Sequence, residues 1–167
     1  MREYLLLLPI IFIFHDMEEI VGIELFYSKN RWLFERFPKI LKSYKNLTHT
    51  GFSAAVYEEF IPFFGLSLIA YYFPNRIIFA LWYGIFLALA AHFIIHIGQA
   101  LYIRKYIPCI ATSIICLPVS ILILIKSAAF IDWGAPSFAI AAIGILLMIA
   151  NFKAAHAVMH FVNKRVK

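Results

Sequence analysis

The chain has 167 residues, of which 63% are hydrophobic, 17% aromatic and 14% charged, with a mean hydropathy of +0.85 and a formal net charge of +6. A chain this short cannot hide so much apolar side chain in one core, which excludes a soluble enzyme and a disordered regulator and makes lipid the natural solvent. The basic excess needs only a membrane surface as its partner and gives no ground for nucleic-acid binding.

Apolar runs predict helices across the membrane over residues 4–27, 51–73, 77–103, 107–130 and 136–162, each near the roughly 20 residues that the hydrocarbon requires. The expected fold is all-α: a polytopic membrane bundle of about five transmembrane helices forming one integral-membrane domain over 1–167. Residues 4–14 could be read as a signal peptide behind Arg2, but His15-Asp16-Met17-Glu18-Glu19 follows in place of a small-residue cleavage pattern, so the segment is expected to stay. Between the first two runs, Ser28 to Thr50 mixes six basic residues with Leu33, Phe37, Ile40, Leu41 and Tyr44 at helical spacing, with Pro38 breaking or starting a helix. It reads as a basic interfacial segment. Eleven Lys and Arg fall on its side of the bundle, against Arg2, Arg76 and Lys126 on the other, with Lys153 near the end of the last run. The positive-inside rule then puts the N-terminus outside and the C-terminus in the cytoplasm, expected here as the plasma membrane of a prokaryote. Trp82, Trp133, Tyr71 and Tyr72 are read as interfacial anchors. Cys109 and Cys116, seven residues apart, would lie about 10 Å apart on one helix and could not form a disulfide.

The first run carries an energetic anomaly. Its apolar residues supply on the order of −4 to −8 kcal/mol of insertion energy, while Asp16, Glu18, Glu19 and Glu24 each cost about 2.5–3.5 kcal/mol if charged near the centre. Protonation, water, buried partners or a cation must compensate. His15, Glu18, Glu19 and Gly22 share one helix face, with Asp16 rotated about 100° away. Glu58 and Glu59 lie on the second run, where Pro62 is positioned to free a carbonyl. His92, His96 and Gln99 form a stripe on the third, and His156, His160 and Asn163 another on the fifth. A rise of 1.5 Å per residue brings most of these groups to the cytoplasmic half of the core, so four helices aim ligands at one layer.

Imidazole and carboxylate together are the ligand set of zinc, iron or manganese. His15, Glu18, Glu19, Glu58, Glu59, His92, His96, His156 and His160 are the candidate ligands to one or two divalent metal ions, with Gln99 and Asn163 as donors that orient them. The bland alternative is that a histidine here makes an interhelical hydrogen bond and an acid stays protonated. His49 and Glu24, near run ends, are read as structural.

His15-Asp16-Met17-Glu18-Glu19 resembles the signature of the HXXEE-domain family of small membrane proteins, whose biochemical role is uncharacterised. That family also carries a further histidine, matched here by His96 with Gln99 or alternatively by His92, and a Tyr-x-Pro-Gly motif. Tyr106-Ile107-Pro108-Cys109 agrees at three of its four positions, with cysteine at the glycine. The resemblance covers roughly residues 5–115 and implies a capacity for metal with no known substrate.

The leading expectation is a metal-dependent membrane enzyme acting on a lipid or other apolar substrate. In a hydrolase, Glu18 or Glu19, whichever is left uncoordinated, would be the general base. With iron the same layer would support oxidation, which needs an electron donor that the chain does not encode. The competing classes are a proton- or cation-handling transporter, whose pathway a homo-oligomer would complete, and an accessory membrane subunit.

Overall fold

The computed structural model describes residues 1–166. They fold into α1 (Arg2–Leu5), α2 (Leu7–Lys29), α3 (Trp32–Arg36), a 3-10 turn (Leu41–Tyr44), α4 (His49–Tyr72), α5 (Arg76–Ile103), α6 (Ile110–Ala128) and α7 (Ala135–Asn163), with no strand among the described residues.

Local chemistry sets the boundaries. Thr48 caps α4 by accepting from the Gly51 amide at 3.0 Å, and Asn75 caps α5 by accepting from Ile77 at 2.8 Å. Arg104, with φ 55°, ends α5 in the left-handed conformation usual after a helix. Helix α4 runs unbroken through Pro62.

α4, α5, α6 and α7 are long and apolar enough to cross a membrane. The expected fifth span, 4–27, is helical but interrupted at Leu6. Every 18-residue stretch of α2 contains Asp16, Glu18, Glu19 and Glu24, too much charge for it to count with the other four. Its outer face is nonetheless uniformly apolar: Ile10, Phe14, Met17, Val21 and Leu25 form an exposed stripe at spacings of three and four.

The long helices close into a ring in which α2 packs on α4, α4 on α7, α7 on α5, α5 on α6, and α6 again on α2. The seam between α5 and α7 is the tightest. A Cβ on Gly84 would lie 2.0 Å from the Ala141 carbonyl oxygen, and one on Gly144 would lie 2.5 Å from that of Leu81. Only glycine allows the two backbones so close. Phe12, Phe63, Phe86, Leu89, Phe93 and Met148 fill the ring's apolar core. Trp82, expected at the interface, is fully buried there and donates to the Leu5 carbonyl at 3.0 Å. The indole is drawn inward because that carbonyl, near the α1–α2 break, accepts it inside the bundle. At the basic end, Leu33 of the α2–α4 connection folds under Phe26, Ile107 and Cys109. Both cysteines are free.

Candidate metal centre

Histidines from two helices meet inside the ring. His15 projects from α2 and is fully buried. His92 and His96 project from successive turns of α5, and each of the three offers a ring nitrogen within 4.8 Å of the other two. Hydrogen bonds indicate which His15 nitrogen carries the lone pair. Thr112, in the first turn of α6, sends its hydroxyl proton to Glu18 Oε2 at 2.6 Å, its shortest contact. The hydroxyl is then the acceptor for His15 Nδ1 at 3.1 Å, so His15 carries its proton on Nδ1 and a lone pair on Nε2. That Nε2 is buried and has no hydrogen-bond partner. His96 Nδ1 likewise donates to Gln99 Oε1 at 3.1 Å, so its Nε2 accepts from His92 Nε2 at 2.7 Å, with Glu19 Oε1 3.3 Å away. A histidine whose far nitrogen is held by an oxygen acceptor while the near one is free is oriented as a metal ligand.

The Glu18–Thr112–His15 chain makes a sharp prediction. Thr112→Val keeps the shape and leaves the amide bonds to Glu18 in place, but removes the acceptor of His15. Ion affinity should fall by roughly 10–100-fold, as it does when an orienting partner of a ligand is lost. Isothermal titration with Zn²⁺ measures this, and an unchanged affinity would show that the chain of hydrogen bonds orients nothing.

The adjacent glutamates have separate surroundings. Glu18 is consumed by the start of α6: Oε1 accepts from the Tyr106 hydroxyl and from Ala111 N at 3.3 Å, and Oε2 accepts from Thr112 N at 2.8 Å as well as from the Thr112 hydroxyl. It caps the positive end of α6 from another helix. Glu19 turns instead toward His96 and Cys109, and one ligand atom from each of these three also falls within 4.8 Å of the others. Beside them lies a cavity of about 310 Å³ whose polar wall is Asp16, Glu19, Glu59, His92, His96 and His156.

Other candidates lie elsewhere. Glu58 does not line the cavity, and its Oε2 is buried without a partner. His156 reaches the cavity, but its Nδ1 contacts the Phe152 carbonyl at 2.7 Å and its Nε2 the Tyr44 hydroxyl at 3.1 Å. His160 is exposed. Among the described residues Asn163 bonds to no histidine; its Oδ1 accepts from Thr48 at 2.6 Å where α7 crosses Gly51. Glu24 accepts from the His49 amide at 2.7 Å, and His49 Nδ1 meets the Ile20 carbonyl at 2.9 Å, tying α2 to the start of α4. Asp16, Thr112, Tyr106 and Cys109 were not among the expected site residues. For Asp16 the signal was present, since an acid one residue from a ligand on a buried helix faces the same interior layer.

Residues 6–123 match a family described as proteins of unknown function with an HXXEE motif. The chain belongs to the HXXEE family. No curated protein and no solved structure matches it. The two HXXEE sequence signals are physically one unit: the first glutamate of the motif, Glu18, accepts from Tyr106 of the Tyr-x-Pro segment, and Gly22 leaves room for Pro108, whose Cβ would lie 2.6 Å from a Cβ added there. Cys109 follows with φ 133°, a conformation suited to glycine, so in this HXXEE chain a thiol sits on a glycine-like backbone.

The hydrogen bond to Glu18 pushes the Tyr106 phenol up from 10.0 to about 12. A folded-state value above the unfolded one means that this contribution to stability is complete below about pH 10 and lost as pH rises through about 12. The Tyr106→Phe difference in phenolate absorbance should report that high value in the wild-type background and a value near 10 in a Glu18→Gln background. Identical titrations in the two backgrounds would mean that the bond is not made.

Proposed function

We propose that the protein is a membrane-embedded, divalent-metal-dependent hydrolase acting on a lipid or other apolar substrate, with His15, His92 and His96 as the ligands. The observation that carries this is the His15 Nε2 lone pair, buried, without a hydrogen-bond partner, and set among two further imidazoles with Asp16 Oδ1 4.0 Å away. Leaving such a nitrogen unsatisfied costs on the order of 1–3 kcal/mol, which a bound cation would remove. Three protein ligands beside an open cavity is the pattern of a catalytic zinc site. For both α5 histidines to hold an ion through Nε2, the 2.7 Å His92–His96 hydrogen bond would give way and His92 would carry its proton on Nδ1 instead.

A zinc-like ion supplies Lewis acidity there, lowering the pKa of water to about 7. The chain's own groups do the rest. Asp16 and Glu59 face the cavity and are placed to take up a proton from water; Glu19 stands nearest the ligands; apolar side chains of α4 and α7 form the rest of the wall. Glu18, with both oxygens occupied, is a positioning residue in this scheme rather than the base. With α2 as a fifth span, its apolar stripe outward, the basic end faces the cytoplasm and the cavity lies in that half of the bilayer.

Purified protein in detergent, loaded with Zn²⁺ and desalted, should retain about one ion per chain, and His15→Ala and His92→Ala should each lower retention at least about tenfold. Hydrolysis of short-chain ester or phosphoester lipids should follow the metal content. A folded wild-type chain that retains no ion overturns the proposal.

A further inference from the structure

The thiol of Cys109 lies beside Glu19 and His96 and has no part in the scheme above. It is fully buried at the junction between α5 and α6. Its backbone has φ 133° and ψ −15°, a region that costs a side-chain-bearing residue on the order of 1–3 kcal/mol. Several contacts enforce that conformation: Pro108 seats in the space left by Gly22, Ile107 is buried with Phe26 and Leu33, and the Cys109 carbonyl accepts from Ser113 N at 2.9 Å. The strained backbone delivers Sγ to within 4.8 Å of both a Glu19 oxygen and a His96 nitrogen, three ligand types from three separate segments. A second feature points to a cation in the same space. The His96 ring, oriented by its Nδ1 bond to Gln99, sets Nε2 3.3 Å from Glu19 Oε1 and 2.7 Å from His92 Nε2, so that three polar atoms converge there.

We propose that Cys109 is a thiolate ligand, forming with Glu19 and His96 a second ion position that selects thiophilic divalent ions such as Zn²⁺. The proposal rests on the metal-centre reading, whose His96 it shares. A thiolate favours zinc over manganese, magnesium or calcium, whose preferred ligands are oxygens, and a bound cation deprotonates a coordinating thiol outright. His96 has a single lone pair on Nε2, so the two positions compete for one ion and do not hold two at once.

Co²⁺ is the probe, because its visible d–d bands report binding and its near-ultraviolet charge-transfer band reports a Co–S bond. Purified wild-type protein in detergent should show both. Cys109→Gly, which suits the backbone, should fold and keep the d–d bands through His15, His92 and His96 but lose the charge-transfer band. Its preference for Zn²⁺ over Mn²⁺ should fall at least about tenfold. Cys116→Ser should keep both bands. Visible bands without the charge-transfer band in the wild type, or a charge-transfer band that persists in Cys109→Gly, overturn this inference and leave the metal centre standing. Absence of all Co²⁺ bands in folded protein overturns both.

Discussion

His96→Ala is expected to abolish ion binding, with affinity falling by more than about 100-fold, a larger loss than removal of any orienting partner. His96 belongs to both ligand groups, so no other histidine can take over its place. Its ring is also the most constrained of the three: Gln99 holds one edge at 3.1 Å, and His92 and Glu19 lie 2.7 and 3.3 Å from the other. Gln99→Leu, which frees the ring without deleting it, should give a smaller loss of about 10–100-fold. His160→Ala, on the exposed face of α7, should change nothing. Equilibrium dialysis against Zn²⁺, with helicity checked by circular dichroism, distinguishes these outcomes. Wild-type affinity in folded His96→Ala would remove the centre from this part of the bundle.

Gly84→Leu should be the most destabilising single substitution in the α5–α7 seam. The added Cβ would overlap not a side chain that could rotate away but the Ala141 main chain, with the oxygen at 2.0 Å, the carbonyl carbon at 2.7 Å and the Cα at 2.8 Å. Relief requires the helices to part, and Gly144 locks the same seam from the other side. The penalty should reach or exceed the ~3 kcal/mol at the upper end of ordinary overpacking. Gly98→Ala is the control: nothing lies within 4 Å of its added Cβ, and an alanine in a helix interior is better than glycine by about 0.5–1 kcal/mol. Thermal unfolding in detergent should show a large loss for the first and none for the second. Equal midpoints would show that the seam is not tightly closed.

Much of this architecture was legible in the chain. Hydrophobic length alone located α4, α5, α6 and α7 to within three residues at each end, because lipid imposes a length on its helices that water does not. Helical spacing also put His92, His96 and Gln99 on one stripe, and His96 does meet Gln99. Spacing was weaker at assigning partners. It gave Glu18 and Glu19 one face, but it could not show that the start of α6 would dock on one of them and leave the other to the interior. Thr112 was invisible for the same reason, and Tyr106 and Cys109, though part of the quoted Tyr-x-Pro segment, gave no sign of what they touch: each lies some ninety residues from the motif, and their contacts come from the docking of α6 and the turn before it on α2. Asp16 was discounted by angle, although α2 is enclosed by α4 and α6 on two sides and its interior arc is wide enough to include it.

The contact between Glu18 and the first amides of α6 bears on how the protein is made. If α2 is the fifth span proposed above, then while the ribosome has produced only residues 1–83 the first long helix carries its acids into the translocon with none of the groups that satisfy Glu18 yet synthesised. Its stable residence in lipid therefore waits for the fourth long helix to emerge, and the earliest segment to be translated is among the last to be secured. A chain arrested before residue 110 should accordingly be a substrate for membrane quality-control proteases, where one arrested after residue 128 is not.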